Sequence, residues 1–232
     1  MSKSNTFETN LIRHIFLNEA ITLVGDAAGL LPSTLAGNLY LGLCLASPGE
    51  AGDQTTNECT YPAYARQPVP RSGAGWSVSG NQVNLFADVD FPRRTDGGAP
   101  EEMLFFTVGT DLAGAGKLLY FGPLVRDNLA YVCTADATAD TILAPGTAYA
   151  VNDRVVFFPA AESTLPGGIT DGLVLYIRTA PGGGVYTLST TAGGALYNIS
   201  ANGAAIVQKL STIIVAENTT PRLTTGTRIT ED

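Results

Sequence analysis

The 232-residue chain has little that supports covalent or metal chemistry, since it contains a single histidine, His14, and three cysteines. A serine or cysteine hydrolase ordinarily needs a histidine base oriented by a third group, and no G-x-S-x-G turn is present. Cys44, Cys59 and Cys133 show no C-x-x-C spacing and are odd in number. They predict free thiols, Cys44 as a small buried hydrophobe, and we expect neither a metal nor a cofactor.

Positive charge is also scarce, with 13 Lys and Arg against 21 Asp and Glu and a net charge of −8. This balance disfavours a protein that binds nucleic acid by neutralising phosphates, and it disfavours an anionic membrane surface. No segment resembles a signal peptide, and the longest apolar run, Leu39 to Ala46, is far shorter than a membrane span. We expect a soluble protein with no nucleic-acid or membrane partner.

Turn-forming residues are abundant: 26 glycines and 13 prolines accompany a hydrophobic content of 45%. This composition predicts many short strands joined by turns around a buried core. One amphipathic helix is predicted over residues 6–17, with Asn5 and Glu8 as its N-terminal capping pair. Its apolar positions are Phe7, Leu11, Ile12, Ile15 and Phe16. We expect this stripe to pack on a sheet or on a neighbouring subunit.

Strand signals follow the helix. Leu39–Leu45 is typical of a strand buried on both faces, and Pro68 indicates a strand at a sheet edge. Beyond residue 123 the predicted strands are bounded by glycine or proline at regular intervals, which suits a small barrel or sandwich. Leu173–Arg178 and Val185–Ser189 predict a hairpin, and Ala195–Ile199 predicts a further strand.

Two short motifs in the first half carry a resemblance to a known family. The leucine-rich segment from Leu39 ends in Ser47-Pro48-Gly49-Glu50-Ala51-Gly52, and Tyr64-Ala65-Arg66-Gln67 follows. Together they resemble a family of small tailed-bacteriophage virion proteins labelled as head decoration, minor tail or tail fibre proteins. The C-terminal segments Thr220–Leu223 and Ile229–Asp232 are similar to the end of that family.

A second resemblance covers Thr134–Val207, which is similar to an all-β module of phage fibre and decoration proteins. If residues 125–209 are removed, Phe121–Leu124 is followed by Ser211–Val215, and this continuous sequence resembles the first family, which has no insert at this point. The resemblances imply a mainly β chain whose base domain, residues 1–124, combines an N-terminal amphipathic helix with an antiparallel β-sandwich. Residues 210–232 complete this base, and residues 125–209 form an inserted small β-barrel or sandwich domain.

The resemblance implies a non-enzymatic structural protein of a tailed-phage virion. Our first hypothesis is a head decoration (cement) protein, a homotrimer that binds the major capsid protein lattice on the outer capsid surface. It rests on the lack of coiled-coil, collagen-like or β-helix repeats from which a fibre shaft is built. The alternative is a minor tail or tail-fibre adaptor protein that contacts tail proteins and whose inserted domain binds a host-surface glycan. A third hypothesis is a polysaccharide-cleaving tail enzyme.

Seven residues are predicted to contact a partner on the virion. They are Phe7, Leu11, His14, Arg66, Arg71, Arg93 and Arg94. The four arginines concentrate positive charge in the first half of the chain and suit an acidic capsid or tail surface. The alternative is that all four are simply solvated.

Carboxylates and tyrosines leave further alternatives open. A glycosidase would need two acids from Asp88, Asp90, Asp96, Glu101 and Glu102, although each also suits a solvated position. The turns at Asp96-Gly97-Gly98 and Asp171-Gly172 offer oxygen ligands for calcium but lack EF-hand spacing. Four tyrosines of the insert suit either glycan contact or the core: Tyr149, Tyr176, Tyr186 and Tyr197.

Overall fold

The N-terminal stripe forms α1 (Asn5–Leu17). The helix begins at Ser4, whose hydroxyl oxygen accepts a hydrogen bond of 3.3 Å from the backbone N–H of Phe7. The predicted cap at Asn5 is therefore wrong by one residue, because serine and asparagine cap helices about equally well. Asn18, with a φ of 57°, ends the helix in the left-handed conformation. Within the described residues, no helix is long and apolar enough to cross a membrane.

The computed structural model describes residues 3–125 and 129–231, which divide into two units. The first unit runs to Gly122 and resumes at Ile213, and the second is Pro123–Thr212. Each unit has strands and buried side chains of its own, and each is described separately below.

The strands are short and follow one another in both units. In chain order they are β1 (Asn38–Cys44), β2 (Gln67–Pro70), β3 (Trp76–Ser79), β4 (Gln82–Leu85), β5 (Val89–Asp90), β6 (Glu101–Met103), β7 (Phe105–Gly109), β8 (Leu118–Pro123), β9 (Tyr131–Asp136), β10 (Thr141–Leu143), β11 (Arg154–Pro159), β12 (Val174–Gly182), β13 (Val185–Ser189), β14 (Gly203–Lys209), β15 (Ile213–Val215), β16 (Arg222–Leu223) and β17 (Arg228–Thr230).

The first unit is built from antiparallel sheets. Its largest sheet has the order β2-β1-β7-β8, and smaller sheets pair β6 with β15, β5 with β16, and β4 with β3 and β17. Pro68 lies in β2, at the edge of the largest sheet, as its missing N–H predicts. From Leu41 to Cys44, β1 is buried on both faces, which confirms the prediction for this strand.

The core of the first unit includes the inner side of α1. This helix packs against β3 and β4, and the ring of Phe16 meets that of Trp76 edge-on at a centroid distance of 4.7 Å. Ile12 and Phe16 are fully buried there. Burying a side chain of this size contributes about 1.5–3 kcal/mol, so these two contacts fix the helix on the sheet.

The second unit is a closed antiparallel barrel with the strand order β10-β13-β12-β11-β14-β9. Alternate residues point inward, as in β12, where Leu175 and Ile177 are buried in the core. The predicted hairpin is present as β12 and β13, and Gly183 and Gly184 supply the positive φ angles of its turn. Closure pairs every barrel strand on both sides, so no edge is left open.

The strand predicted at Ala195–Ile199 is wrong. This segment has no ladder partner and is held by single hydrogen bonds, from the N–H of Tyr197 to the carbonyl of Leu188 and from the N–H of Ile199 to the carboxylate of Asp140. The alternation of apolar residues therefore indicates burial here and not strand pairing, since Ile199 belongs to the barrel core. The mainly β class, with an N-terminal helix, antiparallel sheets and a barrel, is confirmed.

The two ends of the second unit lie together, since the N–H of Ser211 donates to the carbonyl oxygen of Leu124 at 2.6 Å. Insertions are tolerated where the two junctions are close. We therefore expect residues 123–212, expressed alone, to give a β-type circular dichroism spectrum and a cooperative thermal transition. Within this fragment, Ile177→Ala should cost about 2–5 kcal/mol of unfolding free energy, because it leaves a cavity in the core.

Val132→Ala is the matched control, because Val132 is an exposed aliphatic side chain of the same barrel. We expect Val132→Ala to leave the midpoint of the thermal unfolding transition almost unchanged. A fragment that gives no cooperative transition, or two variants that shift the midpoint equally, would contradict an independently folding barrel.

Candidate interaction surface

The outer side of α1 is only partly covered by its own unit. Glu8, Ile12 and Phe16 recur every four residues and are buried. Phe7 and Leu11 lie one position earlier on the helix, where Phe7 is exposed and Leu11 half-buried. The predicted apolar stripe is thus divided between an inner row and a flank that is open to a neighbour.

Arg71 binds the C-terminal end of α1. Its Nε donates to the carbonyl oxygen of Ile15 at 2.7 Å and its Nη2 to that of His14 at 2.8 Å. Its Nη1 donates to the carbonyl oxygen of Ala36 at 3.2 Å. These carbonyls lack partners within a helix, and a cation at this end is favourable. Arg71 therefore joins the helix to the chain that precedes β1.

A pocket of about 310 Å³ opens beside Arg71. Its apolar wall includes Ile15, Leu39 and Leu119, and its rim includes His14, Asn38 and Arg71. The Nδ1 of His14 lies 2.6 Å from the carbonyl oxygen of Glu19 and so carries the proton, because a carbonyl only accepts. The structure therefore brings His14 and Arg71, both predicted contact residues, to one pocket.

The segment between α1 and β1 exposes several large apolar side chains. We call residues 20–37 the leucine loop. Its exposed apolar residues are Leu23, Val24, Leu30, Leu31 and Leu35. The side chains of Leu23 and Leu35 are 80% and 82% exposed. Large exposed apolar patches are uncommon on monomeric proteins and usually mark an interface.

The leucine loop is held in a defined shape. Ile21 and Leu30 exchange two backbone hydrogen bonds of 3.0 and 2.9 Å. Gly29 has a φ of +69°, and a Cβ there would overlap the carbonyl oxygen of Ile21, so only glycine fits. The Oδ1 of Asp26 accepts from the N–H groups of Ala28 and Gly29. Leu23 and Val24 are therefore displayed on a folded hairpin that Leu30 closes, and Leu31 follows it directly.

The base of the loop is tied to the helix end as well. The side chain of Asn18 exchanges two hydrogen bonds of 2.9 Å with the backbone of Ser33. The sequence pattern does not predict this surface, because its apolar residues follow neither the helical nor the strand period and the segment carries little charge. The available signal was a run of aperiodic leucines, with Asp26 the one charged residue between positions 20 and 37.

Arg66 and Arg94, two of the predicted contact residues, are each only 3% exposed. Arg66 forms a bidentate ion pair with Glu58 at 2.6 and 2.7 Å, and Arg94 forms one with Asp96 at 2.5 and 3.0 Å. Burial opposes the charge of Arg66, but the hydrogen bonds to Glu58 and the negative charge of that carboxylate act together against burial, and the pKa of Arg66 is raised. These guanidinium groups stabilise their own unit and are not presented to a partner.

The four arginines do not form one basic face. Arg71 lines the pocket, whereas Arg93 is exposed and donates to the side-chain oxygen of Asn218 at 2.8 Å. Of the four predicted arginines, only Arg71 and Arg93 are therefore placed where an acidic partner surface could reach them.

The carboxylates considered for glycosidase chemistry are engaged in structural contacts. Asp90 and Asp88 accept hydrogen bonds from Arg222, and those from Arg222 lower the pKa of Asp90. Hydrogen bonds from Arg94 likewise lower the pKa of Asp96. A glycosidase acid needs a raised pKa, so these groups fit ion pairs better than catalysis. Within the described residues, no group of His, Cys, Asp and Glu is arranged to hold a metal.

The tyrosines of the barrel are used within it. Tyr149 and Tyr186 belong to its core, with ring centroids 5.2 Å apart. Tyr176 accepts a hydrogen bond from Arg154, and the hydroxyl of Tyr197 donates to a backbone carbonyl. The core interpretation therefore fits Tyr149 and Tyr186 better than glycan contact does.

Exposed leucines on an ordered hairpin are typical of an interaction surface. Residues 2–130, more than half of the chain, match the family described as podophage GP4 fiber I protein gp80, and the chain belongs to that family. It is therefore a structural protein of a phage virion, as the sequence motifs predict, and the family favours the tail-fibre alternative over head decoration. A search of curated proteins gave no match.

The ion pair of Arg66 with Glu58 yields a stability prediction. We expect Arg66→Met to lower the unfolding free energy of the first unit by about 3 kcal/mol, because the half-buried carboxylate of Glu58 loses the buried guanidinium with which it is paired. Arg222→Met is the control, since Arg222 also pairs with a carboxylate but is exposed. Fluorescence of Trp76, the single tryptophan, reports on this unit during denaturation. Equal shifts for the two variants would contradict a structural role for buried Arg66.

The three cysteines yield a reactivity prediction. Burial and the charge of Glu58 raise the pKa of Cys44 to about 12, burial raises that of Cys133 to about 11, and burial also raises that of Cys59. Since the thiolate is the nucleophile, roughly one Cys44 in 10⁴ is reactive at pH 8. Iodoacetamide at pH 8 should leave the native protein unmodified over a time in which it alkylates all three cysteines of the denatured chain. Intact mass spectrometry measures the number of modified cysteines. Rapid alkylation of the native protein would contradict this.

Proposed function

We propose that this protein is a non-catalytic component of a phage tail fibre, and that the leucine loop attaches it to its neighbours in the particle. The carrying observation is the loop itself, an ordered hairpin whose large apolar side chains face solvent. Burial of such side chains drives association by about 25 cal/mol per Å² of apolar surface removed from water. The match to a phage fibre family supports a place on the tail.

Head decoration is the competing assignment. It would make the protein a cement subunit on the capsid lattice, and it rested on the lack of fibre-shaft repeats. That lack fits a short adaptor or end piece of a fibre equally well, since such a piece needs no shaft. The fibre family therefore supports the tail assignment, and the same surface would serve attachment in either place.

Partner binding is assigned to the first unit in this proposal. The family match covers most of that unit and ends at residue 130, shortly after the second unit begins. The second unit carries its own closed barrel and core, which suits an inserted module added to the family's base. Host-glycan binding by this barrel stays a hypothesis, and its buried tyrosines lend it no support.

Purified phage particles distinguish the tail from the capsid. Quantitative mass spectrometry against the major capsid protein should give far less than one copy per capsid subunit, and gold-labelled antibodies against the protein should mark the tail. A ratio near one copy per capsid subunit, with label over the head, would contradict the proposal and support decoration.

A further inference from the structure

We infer that the tip of the leucine loop in one copy of this chain inserts into the pocket at the end of α1 in a second copy. The inference rests on the proposed function, because it names the partner of the loop. The tip, from Thr22 to Ala28, is exposed at every residue, and Leu23 is 80% exposed. The pocket, about 310 Å³ in volume, has an apolar wall with room for aliphatic side chains.

The loop does not fill the pocket of its own chain. Ala36, at the base of the loop, lines the pocket, whereas Leu23 lies beyond the bridge between Ile21 and Leu30. The hydrogen bonds between Asn18 and Ser33 hold the base, and those between Ile21 and Leu30 hold the hairpin. No residue of the tip, from Thr22 to Ala28, lines the pocket of its own chain, so that pocket is open to the tip of another copy.

Charge indicates the same partner. The loop carries one charged residue, Asp26, while the pocket rim carries the cation Arg71 and, among the described residues, its lining includes no acid. The Oδ1 of Asp26 binds the loop's own backbone, and within the described residues no donor reaches its Oδ2. An acidic, apolar tip is therefore complementary to a basic, apolar pocket.

The charges of the loop also disfavour other classes of binding partner. With no lysine or arginine between residues 20 and 37, the loop cannot neutralise phosphates of nucleic acid or anionic lipid. Its exposed side chains are mainly aliphatic, so they offer few hydrogen bonds to a glycan. A protein surface with an apolar pocket and a cationic rim fits best, and this chain itself provides one.

A tip-to-pocket contact uses two different surfaces of each chain. Such a heterologous interface closes into a ring when the rotation between neighbours permits and otherwise extends as a filament. A closed ring would use every tip and every pocket, which agrees with the homo-oligomer expected from the sequence.

Light scattering with native mass spectrometry of the full chain tests this pairing. We expect the wild type to have a mass of two or more times 24.1 kDa, the mass of one chain. Leu23→Asp damages the tip, and Leu119→Glu damages the pocket wall, so each should give the single-chain mass. Asn38→Trp, at the exposed start of β1, is a second pocket variant that fills the space without altering the sheet interior. Phe86→Asp, an exposed apolar residue elsewhere in the unit, should stay oligomeric.

Mixing the variants provides the decisive step. A Leu23→Asp chain keeps its pocket and an Asn38→Trp chain keeps its tip, so an equimolar mixture should form a heterodimer with one intact contact. Two single-chain variants that form no heterodimer would overturn the pairing of tip with pocket. A monomeric wild type would also overturn it while leaving the tail location, which particle labelling measures, untouched.

Discussion

One guanidinium group, that of Arg71, joins the helix, the leucine loop and β2 of the first unit. Arg71 receives its position from β2 and binds carbonyl oxygens at the end of α1 and at the base of the leucine loop. Its own N–H donates to the carbonyl of Gly37 at 3.1 Å, so both its backbone and its side chain hold this junction. Because these carbonyls have no partner in the helix, a single cation satisfies several of them at once. The helix end, the pocket and the direction of the loop all follow from this contact.

The same contact explains why exposed leucines are tolerated in the isolated chain. A flexible apolar loop would collapse onto its own surface, whereas Asn18, Arg71 and Gly29 fix this loop in a shape that keeps its tip in solvent. Holding the loop in one conformation costs conformational entropy, and under the proposal the burial of its leucines against a partner offsets that cost. A structural subunit gains from this arrangement because its contact surface is formed before it meets its partner.

Much of the fold could be predicted from the sequence, because it depends on local signals. Glycine and proline mark the ends of the barrel strands, four-residue spacing marks α1, and Pro68 marks a sheet edge. The segment at Ala195–Ile199 shows the limit, because alternation reports burial and not hydrogen-bond partners. The cap at Ser4 shows another, since two adjacent capping residues compete on equal terms.

The candidate surface was much less predictable, because charge and exposure depend on distant neighbours. The sequence does not distinguish Arg66 and Arg94 from other arginines. The fold buries both of them and brings Glu58 and Asp96 to them as ion-pair partners. His14 and Arg71 were predicted as contacts separately, and only the fold places them at one pocket. The leucines of the loop are exposed because its hydrogen bonds hold them there, which no composition reveals.

Hydroxyl-radical footprinting of intact particles tests the central claim that the leucine loop is covered in the virion. Leu23, Leu31 and Leu35 should be oxidised several-fold less than Phe86 and Val151, which are also exposed in the isolated chain, after correction for intrinsic reactivity. Oxidation of the loop leucines in the particle as strong as that of Phe86 and Val151 would contradict the account.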